Sequence, residues 1–406
     1  MSLTRDVAVT GVGLITAPGS GADEFWDGLC AARPRVTEDP MLAGLPVSHS
    51  CRSSTFEPEL TLGGRLSRRL DRFTQLALVA ADQALADARL DAAQWQAPRV
   101  GVVLGVGSNS IEGYGDQFRH LHAGRPKHVS SLALPRSVPN MAAGEVAMRV
   151  NAQGPNFVTS SACASGATAI GVARDLLRSG TCDVVLTGGS ETVRTAMTAA
   201  CFAQLGVLSD GRRGPISCRP FDQDRTGFVL GDGAAVLVLE TLEHARRRDA
   251  RVRAKLCGYG ASGDAHHPTS PHPEGRGAEA AVRSALLDAG SDPADIHHVN
   301  AHGTGTKVGD LVEASMLGRV FGTVPPLTAT KAMTGHCMGA SAAIEAAATV
   351  LALEHQVVPP VANTSSVDPH IDVDVVLGAP RAVPMQRALT TSFGFGGQNA
   401  ALVFSV

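Results

Sequence analysis

Two kinds of apolar segment alternate along this chain, and their alternation limits the folds open to it. Short runs rich in β-branched residues, such as residues 100–106 and 184–187, are typical of strands buried on both faces. Longer alanine-rich runs of helical character lie between them, at residues 73–90, 277–289 and 342–353. This order of segments predicts an α/β fold whose strands are buried and largely parallel.

The chain is long enough for two structural units. Its 406 residues exceed the size at which a single hydrophobic core usually stops growing. A first cycle of segments closes near Leu239 with an apolar strand, and a second cycle of strand, helix, strand and glycine-rich turn begins near Arg253. No proline- or serine-rich linker separates the two cycles. We therefore expect an N-terminal half at residues 1–250 and a C-terminal half at residues 251–406, packed as one rigid unit.

Charge and cysteine usage exclude several classes of protein. A net charge of -3 gives no hint of a nucleic-acid partner, and the apolar runs are far too short to cross a bilayer. The first residues lead into a strand-like segment without the apolar core of a signal peptide. The eight cysteines show no paired metal-ligand spacing, so we expect neither zinc nor a disulfide framework. These features predict a soluble cytoplasmic protein without a metal site.

Cys163 is a candidate nucleophile. It lies in a turn of small residues, 158–167, that leads from an apolar stretch into a helix-like run at residues 167–177. A thiol at such a position lies near the positive end of the helix dipole, which favours the thiolate and lowers the thiol pKa. The small neighbours also leave room for a substrate carbonyl. The competing interpretation is a buried apolar cysteine, which is common in proteins.

Two further segments each place a histidine beside glycine in a turn that also contains threonine. His302 lies in the segment 299–306, and His336 lies in the segment 331–340. A single histidine in such a turn often serves only as a hydrogen-bonded core residue. Two of them, together with the Cys163 turn, favour a shared catalytic site.

These motifs, in this order, resemble the β-ketoacyl-acyl carrier protein synthases, the elongating condensing enzymes of the thiolase superfamily. The resemblance is closest to the type II class and runs nearly end to end. Besides the two histidine segments, it rests on residues 7–13, 156–166, 220–222, 227–233 and 392–397. It implies a thiolase-like five-layered α-β-α-β-α sandwich built from two similar halves.

The resemblance implies a decarboxylative Claisen condensation. Cys163 would accept an acyl chain, which then reacts with malonyl-acyl carrier protein in fatty-acid or specialised polyketide or polyene biosynthesis. Backbone N–H groups of Cys163 and Phe395 would hold the thioester oxyanion, and His302 and His336 would stabilise the malonyl enolate. The reaction uses carrier proteins with a phosphopantetheine arm and implies no bound cofactor.

The same resemblance assigns roles around this centre. Lys331 and Glu345 would form a buried ion pair that orients the histidine and balances charge. Ser108 stands where the type II class places an isoleucine at the floor of the acyl pocket, so a deeper pocket is expected. The other implied residues are the gatekeeper Phe395, the pocket residues Phe228 and Phe202, and the phosphopantetheine contacts Thr269, Ser270, Thr304 and Thr306.

The sequence departs from the family pattern close to these residues. Thr391 and Gln398 flank the closing glycine motif where the family usually has asparagine before it and threonine or histidine after it. Residues 337–338 replace a Leu-Leu or Leu-Thr step, and residues 341–342 replace an Ala-Gly step. None of these changes removes a catalytic group. Thr391 and Gln398 flank the gatekeeper Phe395, so the acyl-chain preference stays open.

The implied partners are an acyl carrier protein and a second subunit, in a homodimer or in a heterodimer with a chain-length-factor-like protein. The alternative hypothesis is that this chain is itself the non-condensing, chain-length-factor-like subunit. That subunit typically replaces the nucleophile, commonly by glutamine, so Cys163 argues against it. A degradative thiolase would need a second cysteine near the carboxyl end, which residues 394–397 do not offer. A papain-like hydrolase has no use for two glycine-flanked histidines.

Overall fold

The computed structural model describes residues 6–53, 55–108, 110–111, 113–211 and 216–406. The strands are β1 (Val7–Ile15), β2 (Val36–Glu38), β3 (His49–Cys51), β4 (Val100–Gly105), β5 (Asn156–Thr159), β6 (Val184–Thr192), β7 (Leu230–Thr241), β8 (Ala254–Gly263), β9 (His298–Asn300), β10 (Leu327–Thr328), β11 (Val357–Val358), β12 (Arg381–Ala382), β13 (Arg387–Gly394) and β14 (Gln398–Ser405). The helices are α1 (Ala22–Ala31), α2 (Pro58–Leu62), α3 (Gly64–Ser67), α4 (Arg72–Ala88), α5 (Tyr114–His122), α6 (Ala133–Ser137), α7 (Asn140–Val150), α8 (Ser165–Arg178), α9 (Ala196–Gln204), α10 (Leu242–Arg247), α11 (Arg276–Asp288), α12 (Lys307–Phe321), α13 (Lys331–Thr334) and α14 (Ser341–His355).

Ten of the described strands form two five-stranded halves with the same order, while β2 pairs with β3 and β11 with β12 outside them. The first half runs β5-β4-β6-β7-β1, and the second runs β10-β9-β13-β14-β8. Each strand of one half therefore has a counterpart in the other, β1 with β8 and β5 with β10. The halves are joined where β1 pairs with β8 through Ala8 with Lys255 and Val9 with Ala254. The repeated order supports the proposed division near residue 250.

The prediction of largely parallel strands is wrong, because each half is mixed. β4 pairs in parallel with β5 and β6, and β9 does so with β10 and β13. The remaining central pairs, including β6 with β7 and β13 with β14, are antiparallel. β13 and β14 are joined by a tight turn, a connection that only antiparallel strands permit. The apolar runs look alike in both cases because the strands are covered on both faces.

Helices cover the two sheets in layers, and the predicted α-β-α-β-α sandwich is confirmed. α4 packs on β1 and β7 at one outer face, and α11 packs on β8 and β14 at the other. α8 and α14 contact each other and both sheets, so they form the central layer. α14 is buried on every side from Ser341 to Leu353, as expected for a helix between two sheets.

Glycines let the outer helices lie close to the sheets. A Cβ atom at Gly11 of β1 would lie 2.2 Å from the Ala84 carbonyl oxygen of α4. At Gly258, the counterpart on β8, it would lie 2.2 Å from the Ala285 carbonyl oxygen of α11. The Gly-x-Gly pattern near residue 11 is thus explained by helix packing.

The helical runs predicted at residues 73–90, 277–289 and 342–353 correspond to α4, α11 and α14. Within the described part of the chain, every helix is too short or too polar to serve as a membrane span. The segments that carry the candidate site residues lie at strand ends: after β5, after β9, after β10 and between β13 and β14. The fold therefore brings them together beside the central helix layer.

Candidate active site

Cys163 lies in the turn between β5 and α8 and lines a cavity of about 320 Å³. The preceding residue, Ala162, has a φ of 49°, in the left-handed region that costs a non-glycine residue free energy. Hydrogen bonds hold the turn in place. The Ser161 amide donates to Ser165 Oγ over 2.9 Å, and the Ser165 hydroxyl donates to the Ala162 carbonyl over 2.6 Å. The strained turn thus directs the Cys163 thiol into the cavity.

The predicted lowering of the Cys163 pKa is wrong. Burial raises the pKa of this thiol to about 11, because the thiolate would lose its hydration. The Lys331 charge and the backbone N–H groups of Phe395 and Cys163 act in the opposite direction but do not outweigh burial. The resting thiol is therefore protonated at neutral pH.

His336 contacts that sulfur directly. Its Nε2 atom lies 3.1 Å from Cys163 Sγ, and its Nδ1 atom lies 3.0 Å from Ser341 Oγ. The backbone of His336 is tied to the end of β7, since its N–H donates to the Val229 carbonyl over 2.7 Å. Burial, with a smaller contribution from the charge of Lys331, holds the pKa of His336 well below its usual value. The ring is thus neutral.

His302 lies opposite His336, in the loop between β9 and α12. The two ring centroids are 5.7 Å apart and nearly perpendicular. Burial lowers the pKa of His302 well below its usual value, and Lys331 adds to this effect. Lys331 Nζ lies 3.1 Å from His302 Nδ1. Because an ammonium group can only donate, Nδ1 is the acceptor and the ring proton is on Nε2.

Lys331 and Glu345 form the predicted buried pair. Lys331 is 0% exposed, and its ammonium donates to a Glu345 carboxylate oxygen and to the His302 carbonyl, the latter over 2.6 Å. Burial raises the pKa of Glu345 to about 7 although Lys331 favours the carboxylate. The pair therefore anchors both the ring and the backbone of His302.

Gly394 and Phe395 approach the nucleophile from the turn between β13 and β14. A Cβ atom on Gly394 would lie 3.0 Å from the Cys163 amide nitrogen and 2.6 Å from the Ser161 carbonyl oxygen. Only glycine allows this approach without displacement of the Cys163 turn. The backbone N–H groups of Cys163 and Phe395 are close enough to the sulfur to favour its thiolate. Two backbone N–H groups therefore lie beside the candidate nucleophile.

Four phenylalanines line the cavity, and three of them, Phe202, Phe228 and Phe395, are the predicted pocket aromatics. Phe228 packs edge-on against the His336 ring, with centroids 4.9 Å apart. Phe202 lies 5.7 Å from Phe228 and 6.2 Å from Phe395, measured between ring centroids. The structure therefore brings all three predicted pocket aromatics to one apolar wall.

The four hydroxyl residues expected to contact a phosphopantetheine arm all line the same cavity: Thr269, Ser270, Thr304 and Thr306. Thr304 and Thr306 share a hydrogen bond of 3.0 Å between their Oγ1 atoms. The other pair lies in the proline-rich residues 266–273, an exposed loop without helix or strand. His267 Nδ1 accepts the N–H groups of Thr269 and Ser270, each over 3.1 Å. Their placement is suitable for contacts with a polar arm that enters the cavity.

Ser108 lies outside this group. It is exposed on the single chain, and it is not among the described residues that line the cavity. Its amide donates to Glu191 over 3.2 Å, and the neighbouring Gly107 amide donates to the same carboxylate over 2.6 Å. Its place at the floor of an acyl pocket stays a prediction.

Sequence reasoning missed Glu313, which holds the His302 loop. Its buried carboxylate accepts the N–H groups of His302 and Gly303, each over 2.8 Å, and the hydroxyl of Thr391 over 2.8 Å. Thr391 was noticed only as a departure from the family pattern. The sequence did indicate that Glu313 is buried, since it lies at helical spacing with the apolar residues Leu317 and Val320 on α12. Ser341 was likewise noticed without a role.

Comparison with known proteins gives matches over most of the chain. The family model described as "Beta-ketoacyl synthase, N-terminal domain" matches residues 4–245, and "Beta-ketoacyl synthase, C-terminal domain" matches residues 253–365. A 3-oxoacyl-[acyl-carrier-protein] synthase 2 of Staphylococcus aureus (strain COL) is 37% identical over 409 residues, which cover 100% of this chain and 99% of that protein.

Two solved structures are similar over their whole length. One is titled the ishigamide ketosynthase/chain length factor, with a TM-score of 0.92, 33% identity and 99% of both chains covered. The other is the AntDE:AntF complex, titled as a type II PKS acyl-carrier protein with its ketosynthase bound to the hexaketide. Its TM-score is 0.90 at 28% identity, with 99% of this chain and 100% of that chain covered.

Proposed function

Because this chain belongs to the beta-ketoacyl synthase family, we propose that it catalyses the decarboxylative condensation of an acyl chain with a malonyl unit. The observation that carries the proposal is the convergence of Cys163, His336 and His302 on one cavity. The Cys163 sulfur lies 3.1 Å from His336 Nε2, and the two imidazole rings face each other across 5.7 Å. Three distant segments of the chain supply these groups, and no simple core-packing role requires that arrangement.

The first step transfers the acyl chain to Cys163. The sulfur attacks the thioester carbonyl, the bond between the acyl group and the phosphopantetheine sulfur breaks, and the thiol proton leaves with the released phosphopantetheine. Backbone N–H groups of Cys163 and Phe395 lie at the sulfur and would hold the oxygen that becomes negative. Removal of one such donor typically lowers a rate by about 10²- to 10³-fold.

The second step uses the histidines. Breaking the bond to the malonyl carboxylate releases carbon dioxide and leaves an enolate, which attacks the Cys163 thioester and regenerates the thiol after protonation. His302 can donate Nε2–H to the enolate oxygen, since Lys331 occupies its Nδ1. His336 lies across the cavity as the second donor. Because these four donors serve both oxyanions, we propose that the reaction needs no bound metal or cofactor.

The surrounding residues complete this assignment. We propose that Lys331 and Glu345 orient His302 and balance the charge of the site. Phe202, Phe228 and Phe395 would line the path of the acyl chain, with Phe395 as gatekeeper. The contacts with the phosphopantetheine arm would come from Thr269, Ser270, Thr304 and Thr306.

The partner of the reaction is an acyl carrier protein. The Staphylococcus relative is named for a carrier-bound substrate, and the AntDE:AntF structure contains an acyl-carrier protein with a ketosynthase. We propose that the protein works as a dimer. Co-purification tests whether the second subunit is identical to this chain or is a chain length factor, as in the ishigamide structure. The pathway is fatty-acid or specialised polyketide synthesis.

We place the reaction in the cytoplasm. All eight cysteines of the chain are free thiols, in keeping with a reducing compartment.

The alternative, a non-condensing chain-length-factor-like subunit, has less support. Such a subunit needs no nucleophile, yet Cys163 is present with a histidine on its sulfur and a buried ion pair behind the second histidine. A complete catalytic set would have no purpose in a silent subunit.

The test is acyl loading followed by condensation. The protein is incubated with acyl-acyl carrier protein, and mass spectrometry is expected to find the acyl group on Cys163. Malonyl-acyl carrier protein is then added, and a β-ketoacyl product is expected. The Cys163→Ala variant should do neither, whereas Cys163→Gln should lose condensation but keep malonyl decarboxylation, because the amide resembles an acylated thiol. Ketoacyl product from Cys163→Ala would contradict the nucleophile assignment.

A further inference from the structure

Ser341 occupies a position from which it can control the proton on His336. It is the first residue of α14 and is 3% exposed. Its Oγ atom lies 3.0 Å from His336 Nδ1, on the side of the ring opposite the Cys163 sulfur. The same Oγ accepts the backbone N–H of Cys337 over 2.9 Å. The hydroxyl therefore has two neighbours in a dry environment.

Proton counting sets the direction of the contact with His336. A hydroxyl has one proton to donate and two lone pairs, one of which the Cys337 amide already uses. Among the described residues, the only other hydrogen-bond partner of Ser341 Oγ is His336 Nδ1. If Nδ1 carried the ring proton, the Ser341 O–H would be a buried donor without an acceptor, which is costly. Donation from Ser341 to Nδ1 satisfies both groups.

The position of this proton matters because the ring is neutral. Burial holds the pKa of His336 well below its usual value, so the ring carries one N–H and not two. Only the Nε2 atom faces the reacting sulfur, at 3.1 Å. A proton on Nδ1 would leave a bare nitrogen lone pair toward the cavity, which would repel an enolate oxygen.

We propose that Ser341 is a positioning residue that fixes His336 as the Nε2–H tautomer. It acts on His336 as Lys331 acts on His302, so both rings present an Nε2–H donor to the same oxygen. The inference rests on the proposed function, in which the two histidines stabilise the enolate. A serine hydroxyl and a lysine ammonium thus each donate to the Nδ1 atom of one ring, on two sides of the cavity.

The experiment measures decarboxylation of malonyl-pantetheine in the Cys163→Gln background, where condensation cannot consume the substrate. Ser341→Ala is expected to lower the rate by about 10-fold, comparable to the smallest losses seen when the hydrogen-bond partner of a metal-binding histidine is removed. Ser341→Thr keeps the hydroxyl and should retain most of the rate. Thr349→Val is the matched control, because it removes another buried hydroxyl of α14 that bonds only to the Glu345 carbonyl in the described structure.

A double variant of Ser341 and His336 tests whether Ser341 acts only through the His336 ring. In the His336→Ala background, addition of Ser341→Ala should cause no further loss, because Ser341 acts only through that ring. A purely structural role would lower the rate by the same factor in both backgrounds and would overturn the proposal. A parent rate in Ser341→Ala would also overturn it. If Ser341→Ala does not fold, Ser341→Cys replaces a strong donor by a weak one, and a parent rate there has the same meaning.

Failure of the two proposals can be told apart. If the Cys163→Gln protein does not decarboxylate malonyl-pantetheine and the unmodified protein forms no β-ketoacyl product, the proposed function and the role of Ser341 both fall. If both activities are present and the Ser341 variants match their parent, only the role of Ser341 falls.

Discussion

Lys331 Nζ lies 3.1 Å from His302 Nδ1 and at the same time contacts the Glu345 carboxylate. One buried ammonium therefore sets the tautomer of His302, a proposed catalytic residue, and balances the charge of the Glu345 carboxylate. Single and double substitutions of Lys331 and Glu345 can separate its contribution to stability from its contribution to catalysis.

Lys331→Met leaves the Glu345 carboxylate buried without its cation. We expect the free energy of unfolding to fall by about 3 to 5 kcal/mol, as is usual when one partner of a buried pair is removed. The double variant with Glu345→Met should recover much of that stability but not the condensation activity. Urea unfolding provides the measurement. Arg381→Met, which breaks a pair that is 42% and 45% exposed, is the control and should change stability by less than about 1 kcal/mol.

The reactivity of Cys163 toward iodoacetamide should rise with pH far beyond neutrality. Only the thiolate reacts, and burial raises the pKa of this thiol to about 11, so the rate should grow about tenfold per pH unit through pH 8 to 10. A pKa raised above the unfolded value also means that the folded state loses stability as pH rises past about 9. Peptide mass spectrometry of Cys163 gives the rate, and a plateau below pH 8 would contradict the burial argument.

Gly394→Ala should disable acyl transfer, because its Cβ atom would lie 2.6 Å from the Ser161 carbonyl oxygen and push the oxyanion donors apart. We expect a loss of about 10²-fold or more in acyl loading of Cys163. Gly318→Ala is the matched control, since no atom lies within 4 Å of its added Cβ. Equal loading rates in the two variants would show that the close approach of Gly394 has no catalytic role.

Ser108→Ile tests the position assigned to the pocket floor. If Ser108 ends the acyl pocket in the assembled dimer, added bulk should cost about 1 to 3 kcal/mol in binding of long chains and little for short ones. The measurement is the ratio of kcat/KM for a long and a short acyl primer. Because Ser108 is exposed on the single chain, an unchanged ratio would place it on the surface of the dimer as well.

The meeting of the three candidate catalytic residues could be predicted from the sequence because each lies within a short local motif. Cys163, His302 and His336 meet in the structure as expected, although their segments are far apart in the chain. The pairing of Lys331 with Glu345 was likewise predicted and is observed. A local motif preserves turn geometry, and the strand order then determines which turns meet.

Properties that depend on the sum of many neighbours could not be predicted. The helix dipole favoured a low pKa for Cys163, but complete enclosure by other side chains outweighs it. Strand direction in β6 and β7 was also predicted incorrectly, because burial on both faces gives the same apolar run in either direction. The roles of Glu313 and Ser341 depend on hydrogen bonds of about 3 Å, which residue spacing does not determine.

The repeated strand order has a consequence for the origin of the site. Cys163 follows β5, and His336 follows β10, which is the counterpart of β5 in the second half. The nucleophile and the histidine on its sulfur therefore occupy corresponding places in two copies of one architecture. Such an arrangement is what duplication of an ancestral half would produce, followed by divergence of one residue in each copy. In this chain each half supplies one of the two residues, so the contact between Cys163 and His336 exists only where the two halves pack together.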